Sequence, residues 1–94
     1  MATSTTITWP DGEVSGRLAG SGSTGVLLAH GAGTNQDHPF MISLRDGLAL
    51  AGHTVMTFNY PYTERGSKTP DRTERLVEAH RAAAEHLDAR VDRL

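Results

Sequence analysis

The sequence predicts an α/β domain: a hairpin, then strand, helix, strand and helix, around a mixed sheet. Three features carry that expectation. A β-branched run ends at Pro10-Asp11-Gly12, a continuous apolar run occupies residues 26–29, and residues 53–60 alternate as a strand does. Between the last two lies a stretch of helical periodicity, which makes them neighbours in a strand-helix-strand unit.

Residues 3–9 are rich in β-branched side chains, Pro10-Asp11-Gly12 is a turn signal, and residues 13–19 form the second arm of an antiparallel hairpin. The glycine-rich residues 20–25 read as a flexible connector. Val26-Leu27-Leu28-Ala29 then has the pattern of a strand buried on both faces, hence a central one. Asp37 is the expected cap of a helix with Pro39 in its first turn, running to about Ala51. Phe40, Leu44, Leu48 and Ala51, joined by Met41, make its apolar stripe, with Arg45 and Asp46 opposite and Gly52 suited to the left-handed position after the helix. Residues 53–60 form the next strand, which Pro61 ends. Residues 62–69 read as a loop, with Thr69 and Pro70 as cap and first residue of a helix reaching about Arg90. Leu76, His80, Ala83, Leu87 and Val91 are its stripe, and Asp71 and Arg75 have the spacing of an i,i+4 ion pair. Residues 91–94 look like the first residues of a further strand.

Ninety-four residues make one domain or part of one, spanning 1–94, and Leu, Val, Ile and Phe together number only 18. The core must therefore be thin, and the absence of cysteine removes disulfides as a support. Nine basic against eleven acidic residues offer no general attraction to nucleic acid or to anionic membranes. No apolar run approaches a membrane span, and the polar, uncharged start of the chain carries no export signal, so the expected location is the cytoplasm.

Gly20, Gly22 and Gly25 match G-x-G-x-x-G, but a dinucleotide turn must follow a strand and open a helix, whereas Gly25 opens a strand. Lys68-Thr69 has no phosphate loop before it. His30, Asp37, His38 and His53 have no diagnostic metal spacing, and His80 and His86 stand six apart on different faces of one helix. His80, inside the apolar stripe, reads as a packed or partly exposed core histidine and not as a ligand. No cofactor and no metal are expected.

His30-Gly31-Ala32-Gly33 follows a strand and precedes a helix, so small residues stand where backbone N–H groups can turn toward a ligand. Such a loop can hold an oxyanion, and by spacing alone it serves equally as a tight structural turn. The strand, His30-Gly31-Ala32-Gly33, Asp37-His38-Pro39-Phe40-Met41, Phe58-Asn59-Tyr60-Pro61-Tyr62 and the Pro70-Asp71 before the last helix together resemble the amino-terminal half of the α/β-hydrolase fold. The resemblance covers residues 25–94 and is closest to the small dienelactone-hydrolase-like predicted hydrolases, including testis-expressed and nonspecific-lethal-complex-type relatives.

The resemblance implies that Gly31, Ala32 and Gly33 form the oxyanion loop, with the Ala32 N–H its foremost donor, and that His30 is a buried orienting residue and not the catalytic histidine. In that family the nucleophile sits on a G-x-S-x-G turn after the strand that residues 91–94 would begin. None of the six serines, Ser4, Ser15, Ser21, Ser23, Ser43 and Ser67, has glycine two before and two after. No catalytic residue is therefore assigned, and the chain reads as an α/β-hydrolase fold truncated before the nucleophile strand and inactive alone. The family strand order puts residues 26–29 between residues 55–60 and the absent strand, which leaves an open edge for self-association or for a complementary hydrolase half. Asn35, Phe40, Tyr60 and Tyr62 are the residues expected in a pocket wall. A non-catalytic interaction module on a hydrolase-derived scaffold is the alternative, and an unrelated small α/β domain whose His-Gly-Ala-Gly loop binds an anion is the third.

Overall fold

A computed structural model describes residues 2–31, 33–67 and 69–94. Strands β1 (Thr3–Trp9), β2 (Gly12–Ala19), β3 (Gly25–Ala29) and β4 (Thr54–Phe58) form one sheet in the order β1-β2-β4-β3. β1 and β2 are the expected hairpin, with Trp9 opposite Gly12 across the turn. β2 pairs antiparallel with β4, and β4 pairs parallel with β3, so the sheet is mixed as expected. Helices α1 (Pro39–Leu50), α2 (Pro61–Glu64) and α3 (Thr73–Asp88) complete the fold. No described helix is long and apolar enough to cross a membrane.

The buried centre of the sheet is β4, not β3. All five β4 residues are buried, whereas β3 lies at the edge with Val26, Leu27 and Leu28 half-buried and Ala29 exposed. A continuous apolar run cannot by itself distinguish a central strand from one awaiting a neighbour. On the side away from β4, Thr24 and Arg93 form an isolated parallel bridge. Gly25 N–H donates to the Arg93 carbonyl at 2.7 Å and Asp92 N–H to the Ser23 carbonyl at 2.8 Å, so residues 91–94 do begin strand pairing there. The chain thus crosses from β3 to β4 in one direction and from β4 past β3 in the other. Right-handed crossovers in opposite directions put α1 and α3 on opposite faces.

On the α3 face, Ile7, Trp9, Val14, Met56 and Phe58 pack against Ala79, Ala83 and Leu87. Alanines at the helix seam let α3 approach the sheet closely, which is why the buried stripe runs through Ala79 and excludes His80. His80 is exposed, although its ring still meets Phe58 edge-on at 5.6 Å. The connector before β3 is close-packed: a side chain on Gly22 would overlap the Gly52 carbonyl. Gly52 itself has φ +102°, the backbone expected after α1.

Three helical details depart from the sequence pattern. His38, not Asp37, caps α1, its Nδ1 accepting the Phe40 N–H at 3.2 Å; the Asp37 N–H is turned back to Asn35 Oδ1 at 2.8 Å. α1 is also rotated from its apolar stripe, so that Met41 and Arg45 are buried while Phe40 is 66% exposed. Arg45 is buried with its guanidinium paired to Asp46 at 2.9 Å, a burial that its residue type does not signal. Residues expected as loop after β4 contain α2, with Pro61 at its start. α3 begins at Thr73 and not at Pro70, because Asp71 is held to α2: it accepts the Tyr62 N–H at 2.8 Å and the Arg65 guanidinium at 2.6 Å. The Asp71–Arg75 pair forms at 3.5 Å even so.

Leu87 is fully buried and Leu50 is 90% exposed. Leu87→Ala is expected to lower stability by about 2–4 kcal/mol in urea unfolding, and Leu50→Ala to change it by less than about 0.5 kcal/mol. His86, on the inner side of α3, stands 2.8 Å from Thr5 Oγ1. Burial, and then the Arg90 charge, hold its pKa below the usual 6.5. The unfolded chain therefore binds this proton first, so stability falls as pH drops from 6.5 toward the lowered value and levels off below it. His86→Gln is expected to reduce that loss, read as a smaller shift of the urea midpoint between pH 7.5 and pH 5.

Candidate active-site loop

Parallel strands deliver the segments after them to the same end of a sheet, and here residues after β3 and β4 meet. His30 leaves β3 buried at 5% exposure, and Asn59 and Tyr60 leave β4 beside it. The Tyr60 N–H donates to His30 Nε2 at 3.2 Å. An amide nitrogen can only donate, so Nε2 is an acceptor and the neutral ring carries its proton on Nδ1. Nδ1 then donates to the Gly31 carbonyl at 2.9 Å, and the Thr63 hydroxyl, 3.1 Å from Nε2, is a second donor to it. Both ring nitrogens are committed to holding backbone and α2, which leaves neither for taking a proton from a substrate.

The Gly31 carbonyl also accepts the Thr34 N–H at 3.2 Å and the Thr34 hydroxyl at 2.9 Å. Gly33 has φ +80°, a backbone that side chains disfavour. Nothing lies within 4 Å of where a Cβ would stand on Gly31 or Gly33, so these two glycines border open space. Ala32, between them, lies outside the described residues.

The far end of the loop is fixed by Gln36, which is fully buried. Its backbone N–H donates to Asn59 Oδ1 at 2.9 Å, and its side-chain amide donates at 3.1 Å to the carbonyl and to the hydroxyl of Ser15. Its Oε1 accepts from the Thr57 hydroxyl at 3.2 Å. Ser15 in turn hydrogen bonds to Glu64 of α2 through its hydroxyl. The loop is therefore tied at its start to Tyr60 and to Thr63 of α2, and at its far end to β2 and to β4 with the Asn59 that follows it. Sequence reasoning gave Gln36 and Thr63 no role, and named Asn59 and Asp71 without placing them at this loop, because a polar residue type gives no sign of which side chain becomes buried or what it bonds to; only Thr57, polar within an apolar strand, marks the need for an internal partner.

The residues expected in a pocket wall fall in different places. Tyr60 and Tyr62 stand with His30, their rings 5.1 Å and 5.9 Å from it edge-on. Tyr60 also lines a groove of about 350 Å³ with Leu76, Val77, His80 and Arg81, and its hydroxyl lies 3.1 Å from His80 Nδ1. Burial, and then the neighbouring Tyr62, raise the Tyr60 pKa above the usual 10, so the phenol stays protonated. Asn35 borders a separate cavity of about 150 Å³ beside Gly33 and Thr34, closed on its other side by Thr63, Gly66 and Ser67. Phe40 lines neither. Among the described residues no group of three or more His, Asp or Glu is placed to hold a metal.

Residues 22–94 match the family described as an alpha/beta hydrolase domain. The chain is also similar in fold to the crystal structure of an α/β serine hydrolase without a lid from Xanthomonas campestris, with a TM-score of 0.78 at 17% identity. That match takes in 95% of this chain and 45% of the other, so the chain spans less than half the length of this solved structure. No curated protein sequence matches it.

His30→Ala would strand the Tyr60 N–H and remove one of the three donors to the Gly31 carbonyl. A loss of about 1–3 kcal/mol is expected in urea unfolding, with faster amide exchange at Gly33 and Thr34. Gln36→Leu, which leaves the buried Thr57 hydroxyl without its partner and the Ser15 carbonyl with the Asn59 N–H alone, is expected to cost about as much.

Proposed function

Because this chain belongs to the alpha/beta hydrolase domain family, we propose that it is the amino-terminal part of a serine-hydrolase-like enzyme acting on ester or related acyl bonds, with Gly31, Ala32 and Gly33 as its oxyanion loop and His30 as the residue that orients it. The observation that carries the reading is the Gly31 carbonyl, held by three hydrogen bonds while Gly31 and Gly33 border open space. It is the carbonyl of the peptide whose N–H belongs to the proposed donor, Ala32. A donor fixed before reaction is what an oxyanion site requires, since it stabilises developing charge without reorganising. The finer kinship we propose is with dienelactone-hydrolase-like and testis-expressed-type hydrolases.

No serine of these 94 residues stands in a G-x-S-x-G turn, so in this reading the nucleophile comes from a segment outside them. That segment pairs with the outer edge of β3, where residues 91–94 already make a parallel bridge, and residues 1–94 are one part of the complete domain. With the nucleophile elsewhere, the partner is a complementary hydrolase segment, or failing that a second copy of the chain at the same edge. The second reading, a non-catalytic interaction module, is favoured by a core that closes within the chain from Ile7 to Leu87.

The purified chain is expected to show no saturable hydrolysis of a p-nitrophenyl ester; turnover abolished by a Ser or His substitution would refute the assignment. Joined to a segment bearing G-x-S-x-G, it is expected to turn over ester, and Gly33→Val to lower kcat by roughly 10²-fold with little change in KM. Unchanged kcat in that variant would remove the oxyanion role, and specific partner binding without turnover would establish the interaction module.

A further inference from the structure

We propose that Asp71 is a positioning residue for the His30 loop, acting through α2. The proposal rests on the oxyanion-loop reading for its catalytic meaning, and on hydrogen bonds alone for its mechanism. Pro61 opens α2 without an N–H, so the Tyr62 N–H is the first unpaired donor of that short helix, and the preceding residue Tyr60 supplies no side-chain cap. Asp71, nine residues on and with a side chain only 5% exposed, takes that N–H at 2.8 Å.

Tyr62 is bracketed by the two residues that reach His30: Tyr60 through its N–H and Thr63 through its hydroxyl. Fixing the Tyr62 amide fixes both, and His30 passes the constraint to the Gly31 carbonyl. The carboxylate is itself held. Arg65 meets it at 2.6 Å and Arg75 at 3.5 Å, while Arg75 is pinned by Asp11 at 2.7 Å and by the Trp9 ring 4.9 Å away. A carboxylate accepting a backbone N–H and the Arg65 guanidinium, with the Arg75 guanidinium beside it as an ion pair, is a directional clamp. It spans the hairpin turn, α2 and the start of α3, and its output is the state of one histidine ring.

The test is the ¹⁵N signature of the His30 ring in the 94-residue chain, compared among the parent, Asp71→Ala, Asp71→Asn and Asp11→Asn. The parent is expected to show a neutral ring protonated on Nδ1. Asp71→Ala should give a mixture of ring tautomers and amide exchange at Gly33 and Thr34 about tenfold faster, the equivalent of one lost hydrogen bond. Asp71→Asn, which keeps an acceptor for the Tyr62 N–H but loses the charge, should give a smaller change of the same kind. Asp11→Asn, which loosens Arg75 alone, should leave the ring as it is.

A ring unaltered in both Asp71 variants, or moved equally by Asp11→Asn, would overturn the proposal and reduce Asp71 to a helix-docking contact. If Asp71→Ala does not fold, Asp71→Asn decides by the same comparison. No substrate or nucleophile enters this measurement, so it fails separately from the hydrolase reading. A responsive ring beside an unaltered kcat in Gly33→Val would end the oxyanion role and leave Asp71 in control of His30.

Discussion

The parallel pairing of β3 with β4 is the constraint on which the rest depends. It runs from Gly25 opposite Thr54 to Ala29 opposite Phe58, and it sets the two strand ends side by side. His30 and Tyr60 follow those ends, and the Tyr60 N–H reaches the His30 ring because the register leaves them no other relation. A shift of one residue would turn every β3 side chain to the other face and remove the bond on which the loop is built.

Around that pairing the protein uses polar contacts where a larger domain would use apolar area. Gln36 sits fully buried with a partner for each polar atom of its side chain, and no buried side-chain nitrogen or oxygen among the described residues lacks a partner. A satisfied buried network specifies one arrangement, since any displacement leaves a donor or acceptor bare at a cost of about 1–3 kcal/mol. The loop from His30 to His38 is therefore held by bonds at its ends while its glycines border open space. That division, bonded at the ends and open at Gly31 and Gly33, is the one the proposed oxyanion loop would need.

Much of the architecture was legible. The hairpin, the two parallel strands, both long helices, the positive φ at Gly52 and the strand pairing begun by residues 91–94 each follow from local pattern. The same patterns failed where orientation or partnership decides. Phe40 and Leu44 form a stripe, yet α1 turns Met41 and Arg45 inward, because the segment before it is fixed by Gln36 and the cap by His38. His80 belongs to the α3 stripe by spacing, yet Ala79 takes the buried place because a small residue lets the helix come closer. Thr69 and Pro70 carry a helix-start signal that Asp71 overrides by bonding to Tyr62.

The sequence by itself determined the element types, their order and the loop in which the chemistry is proposed to lie, because periodicity, turn residues and small residues act over a few positions and do not depend on distant partners. Tertiary structure alone decided that β4 and not β3 is the covered strand, which face of α1 is buried, and that His30 is neutral with its proton on Nδ1. The physical reason is that each of these is a statement about what lies across space. Burial depends on the neighbouring strand, helix rotation on where the chain is tied before the helix begins, and a tautomer on whether the group facing the ring can donate or accept.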